Sequence, residues 1–117
     1  MRLLAACLVV ATLTACGSEP EGNTPEPLDQ RAEVACAAFD KLAANYGSLD
    51  EDERRNLVIE MWDSAQFSET TGIRRIGRKV FGVVAEENDV LRPRAFDEMR
   101  LACRGMASPY RTIGSND

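Results

Sequence analysis

The chain has 117 residues, enough for one domain. Its 14 basic and 19 acidic side chains leave a net charge of −5, which opposes nucleic-acid binding and electrostatic adhesion to anionic lipid. It contains no histidine, no Gly-rich phosphate loop and no G-x-S-x-G, so Ser-His and Cys-His nucleophiles and most zinc sites are excluded.

Met1 and Arg2 form a short positive start, and residues 3–15 are apolar apart from two threonines. A helix needs about 20 apolar residues to cross a bilayer, so this run is too short for a span and reads as a secretory signal. It closes on Leu13-Thr14-Ala15-Cys16, which resembles the lipobox of bacterial lipoproteins. That resemblance covers the first sixteen residues alone. It implies that residues 1–15 are a signal peptide, and that the Cys16 thiol receives a diacylglyceryl group and becomes the mature N-terminus. Cys7 sits in a similar Leu-Ala-Ala-Cys, but too little apolar chain precedes it. Each buried methylene contributes about 0.8 kcal/mol, and two acyl chains make attachment stable where one does not. The expected location is therefore the cell membrane, lipid-anchored on its extracytoplasmic side. Losing Arg2 with the signal makes the remainder one unit more acidic.

Cys36 and Cys103 are then left as an even pair in an oxidising compartment, and a disulfide between them is expected. Closing so long a loop contributes roughly 4 kcal/mol in the chain-entropy account. The alternative, a redox-active pair, favours the C-x-x-C spacing, which is absent.

Residues 16–27 hold the lipidated cysteine and a tether rich in proline, glycine and glutamate, with no bulky apolar side chain. Such a segment buries nothing and is expected to be disordered; its reach is about 35 Å when extended. An all-α, four-helix bundle is expected over 28–113, with a short tail at 114–117. The first helix covers 29–46, with Ala32, Ala35, Cys36, Phe39, Leu42, Ala43 and Tyr46 on one face, and Gly47 is placed for a left-handed cap. Ser48 and Glu51 match a capping box for a second helix to about residue 66, turning Leu57, Val58, Met61, Trp62 and Ala65 inward. Arg54 also projects to that apolar side, where snorkelling would carry its charge to water. The acids from Asp50 to Glu53 do not make a calcium loop, because Arg54, Arg55 and Met61 stand where ligands and a glycine are needed; they suit the positive end of a helix dipole.

The third helix covers 73–87, its stripe being Ile73, Ile76, Gly77, Val80, Phe81, Val83 and Val84, with Gly77 allowing close approach of a neighbour. Asn88-Asp89 ends it. Pro93 opens the fourth helix, whose inward face is Ala95, Phe96, Met99, Ala102, Cys103 and Met106, with Gly105 at its end. Tyr110 and Ile113 are positioned to pack back on the bundle.

No cofactor or metal site and no catalytic constellation emerges, so the expected function is a non-enzymatic binding or interaction module. Arg74, Arg75, Arg78 and Lys79 form the one dense basic cluster. Like charges four apart repel on a helix, so the cluster suits an acidic protein or an anionic envelope polymer, unless it is a solvated face or a mate for the acidic second helix. Ile59 and Trp62 flank the inward stripe and suit an interface anchor; Leu101 is also left outside the core. The alternative function is carriage of a small apolar ligand inside the bundle, lined by the adaptable Met61, Met99 and Met106.

Overall fold

A computed structural model describes residues 25–107; the proposed lipidation site Cys16, the rest of the leader, the tether up to residue 24, and Tyr110, Ile113 and the tail lie outside them. The described residues form α1 (Gln30–Ala44), a short 3-10 turn (Tyr46–Ser48), α2 (Glu51–Ala65), α3 (Ile73–Ala85) and α4 (Arg92–Cys103). The all-α, four-helix expectation holds. Each helix packs chiefly on its sequence neighbours, and the α1 and α4 backbones approach closely at few positions.

Local chemistry sets the helix ends. Asp29 caps α1, its carboxylate accepting from the Ala32 N–H at 2.7 Å. Asp50 and Glu53 make a reciprocal capping box at the start of α2. This corrects the expected Ser48–Glu51 box by two residues. Ser48 is taken into the 3-10 turn, donating its N–H to the Asn45 carbonyl at 2.8 Å, and is not free to cap. Nor does Gly47 adopt a left-handed conformation, since α1 stops at Asn45 and tightens directly into that turn. Helices α3 and α4 do end in left-handed residues, Glu87 (φ 55°) and Gly105 (φ 74°). In each, paired backbone bonds reach back to the last turn: Asn88 to Val83 and Glu87 to Val84, then Met106 to Leu101 and Gly105 to Ala102.

The largest fully enclosed side chains are Phe39, Leu42, Met61, Ile73, Met99, Val58 and Val80. Phe96 stands edge-on to Phe39 and Tyr46, with centroids 5.3 and 5.5 Å apart. Most residues expected inward are buried, while Ala43, Tyr46, Leu57, Trp62, Phe81 and Cys103 are half-buried at the rim. Met106 is a correction, for it is 50% exposed. It follows the left-handed Gly105, so the helical periodicity that placed it inward no longer applies. Ala38 and Ser64 are buried without having been expected.

Cys36 and Cys103 form a disulfide across 67 residues of sequence, joining α1 to α4. Beside it lies a polar knot. The Asp29 carboxylate also accepts from the Ser68 hydroxyl at 2.9 Å and the Glu69 N–H at 2.7 Å. The Asp29 N–H in turn donates to the Thr70 hydroxyl at 2.9 Å. Glu26 adds a second tie, its N–H donating to the Gly105 carbonyl at 2.9 Å and its carboxylate accepting from the Thr71 N–H at 3.2 Å. The ordered domain thus begins at least two residues before the expected boundary at Leu28, and Glu26 is docked although it was assigned to the tether. A Cβ at Gly105 would collide with the Glu26 carbonyl, so both the left-handed turn and the docked segment require glycine there.

Burial acts to raise the Asp29 carboxyl, but bonds from the Glu69 and Ala32 N–H groups and the Ser68 and Thr70 hydroxyls outweigh it and hold the group below its usual range. A lowered folded-state value stabilises the fold above the unfolded value of about 3.9, and that stability is lost as pH falls through the folded value. Asp29→Asn should therefore cost about 2 kcal/mol at pH 7. Denaturant titrations at pH 7 and pH 3 should show the gap from the parent shrinking at the lower pH. Replacing both Cys36 and Cys103 by alanine should lower stability by about 4 kcal/mol, read as a fall in the urea midpoint.

Candidate functional site

Two helical stripes meet on the outside of the α2–α3 pair. On α2, Arg55, Ile59, Trp62 and Gln66 recur at helical spacing; on α3, Arg74, Arg78, Phe81 and Ala85 do the same. The Trp62 and Phe81 rings join them, 6.2 Å apart and tilted by 35°. Beneath the pair, α3 comes close to α2 because residue 77 has no side chain: a Cβ there would lie 2.9 Å from the Ala65 Cβ and 3.8 Å from the Trp62 ring. The expected close approach at Gly77 is therefore present. The Trp62 ring packs over this contact and is half-buried at the seam's outer edge. Ile59, one turn earlier, is 41% exposed.

The basic cluster divides along the two flanks of α3. Lys79 turns toward α4 and pairs with Glu98, Nζ to Oε1 3.3 Å; Glu98 also receives Arg94 at 3.6 Å. Arg75, one turn before Lys79 on the same flank, is half-buried and engaged. Lys79 thus finds its acid on α4 rather than on the acidic second helix, whose Glu51 and Asp52 are taken by Arg55. Arg74 and Arg78 remain exposed beside the Trp62–Phe81 seam, without an ion pair among the described residues. The structure so brings Arg74, Arg78, Trp62 and Ile59 to one face and sends Arg75 and Lys79 to another.

At the far end the seam opens into a groove of about 250 Å³, lined by the apolar Tyr46, Val58, Ile59, Phe81, Val84 and Ala85 together with the charged Glu51, Arg54, Arg55 and Glu87. Arg54 does not snorkel freely. Its Nε donates to the Tyr46 carbonyl at 3.0 Å and its guanidinium lies 4.5 Å from the Tyr46 ring centroid. Arg92 of α4 approaches the same ring to 4.2 Å. These cation–π contacts fix Tyr46 as a wall. Only Arg54's place on the apolar side of its helix hinted at this in the sequence; Arg92 gave no such signal. Elsewhere Leu101 is exposed as expected, and Val90 (87% exposed) and Phe67 are exposed apolar residues that periodicity had not singled out.

The groove lies below the roughly 300–1,000 Å³ usual for small-molecule sites. Met61 and Met99 are enclosed in the packed core and Met106 faces solvent, so the three methionines do not line a common pocket. No cluster of three or more metal-ligating side chains occurs among the described residues, and none of the described helices is long and apolar enough to cross a membrane. Asp29 spends its oxygens on the fold. No family model, curated protein or solved structure matches the chain.

Because Trp62 rests on the Gly77–Ala65 contact, Gly77→Ala should cost about 1–3 kcal/mol by overpacking and red-shift Trp62 emission. Ala65→Gly in the same chain should restore the emission, since it removes the opposing methyl.

Proposed function

We propose that the protein is a lipid-anchored, non-enzymatic interaction module on the extracytoplasmic side of the cell membrane, which presents its α2–α3 face to a partner. The observation that carries this reading is the company kept by Trp62, Phe81 and Ile59: an apolar seam flanked by Arg74 and Arg78, which have no ion pair among the described residues. Buried aromatic and arginine side chains are the usual anchors of protein interfaces. The lipobox-like Leu13–Cys16 supports the anchor, and the Cys36–Cys103 bridge suits an oxidising compartment.

The layout suits presentation from a membrane. The chain comes in from its N-terminal side at Glu26, beside the end of α4 and the α2–α3 loop. The groove lies at the opposite end of the bundle, near Tyr46 and Glu87. Helix α1, 15 residues long, separates the two by about 22 Å.

Crosslinking in intact cells tests the face. Arg74→Glu together with Arg78→Glu should remove a crosslinked species that the parent protein forms, and an unchanged pattern would count against it. The anchor is tested by intact mass. The mature chain should begin at Cys16 with added lipid mass, and a bare Cys16 terminus refutes attachment.

A further inference from the structure

We infer that the α2–α3 face takes an acidic amphipathic helix of a partner protein, seated along the seam with two carboxylates on Arg74 and Arg78 and an apolar side chain in the groove. This rests on the interaction-module reading and names the chemistry of its partner.

Arg74 and Arg78 lie one helical turn apart, so they match two acids at i and i+4, or i and i+3, on a facing helix. Their charge is not consumed internally: neither has an ion-pair partner among the described residues, whereas Arg75 and Lys79 are engaged. Two guanidiniums beside an apolar seam call for an anion that also carries apolar side chains. The seam's shape favours a helix. Each stripe spans twelve residues, about 17 Å from first to last or three turns, between two helices whose backbone groups are already satisfied internally. A groove between helices accepts an amphipathic helix through anchors at i, i+3, i+4 and i+7. At about 250 Å³ the groove beyond Phe81 is of side-chain scale.

Other anionic occupants fit less well. A polyanionic polymer has nothing to place against Trp62, Phe81 and Ile59. An anionic bilayer would have to approach a chain whose net charge is −5, against long-range repulsion.

Trp62 is the sole tryptophan and sits in the middle of the proposed interface, so its fluorescence reports occupancy directly. The purified full chain, disulfide intact, is titrated with a synthetic three-turn amphipathic peptide. This peptide has leucines at helical spacing and two glutamates one turn apart near one end. A second peptide carries lysines in place of the glutamates, and phosphatidylglycerol vesicles and polyphosphate serve as further probes. The acidic peptide should shift Trp62 emission saturably, more weakly at 0.5 M than at 0.05 M salt. The variant Arg74→Glu/Arg78→Glu should bind it about tenfold more weakly while keeping its helical circular dichroism and thermal midpoint. Equal binding of the lysine peptide, or full affinity in the charge-reversed variant, overturns the acidic assignment but leaves the face a docking surface. A response to vesicles or polyphosphate without one to the acidic peptide transfers the site to lipid or polymer and overturns the inference. No response to any probe overturns it too, and loss of the in-cell crosslink in the same variant would then show that the broader interaction reading survives without it.

Discussion

One covalent bond joins the first helix to the last. Helix α1 rests on α2, α2 on α3 and α3 on α4, while α1 and α4 meet at the buried Phe39–Phe96 ring pair. A small bundle has limited area to bury, so the Cys36–Cys103 bridge adds a constraint where the two outermost helices in sequence come together. The Asp29 knot and the Glu26 segment tie one end of the bundle by hydrogen bonds. Backbone N–H groups at the start of α1 and in the α2–α3 loop share one carboxylate, so several otherwise orphaned donors are satisfied at once.

The opposite end is built differently. There Tyr46 is held by the edge of Phe96 and by the guanidiniums of Arg54 and Arg92, contacts that orient a ring without enclosing it. One end is therefore closed and polar, and the other is open and aromatic. The groove forms where enclosure fails. The close approach at Gly77 serves the seam as well, because the Trp62 ring packs over the position a Cβ would take. Core packing and surface chemistry are then one problem: a missing methyl inside gives the indole its seat.

The four helices, their inward faces and the disulfide were legible in the sequence because each rests on a local or pairwise signal. Periodicity marks Phe39, Leu42, Met61 and Val80, Pro93 and Gly105 punctuate α4, and the lipobox resemblance, by setting Cys7 and Cys16 aside, points to Cys36 and Cys103 as the pair. What stayed hidden depends on contacts distant in sequence. Nothing near Asp29 announces Ser68 or Thr70, some forty residues away, nor does Glu26 announce Gly105. The capping box was misplaced because Asp50 and Ser48 compete for the same role, and the 3-10 turn that decides between them is set by how α1 ends. Of the surface cluster, the sequence could separate two flanks of α3 but not say which flank faces α4. That follows only once Lys79 is seen to reach Glu98.

The division of the cluster bears on why its charge is there at all. A lysine bridging α3 to an almost buried Glu98 has a structural role, since removing it would leave that carboxylate short of a partner in a poorly hydrated position. Arg74 and Arg78 have no such excuse. At i and i+4 they repel one another slightly, and they border an aromatic seam rather than an acid. Two residues that cost the helix a little and have no ion pair among the described residues stand beside the half-buried Trp62 and Phe81 rings. Stability does not account for that arrangement, whereas a ligand carrying both negative charge and apolar surface would.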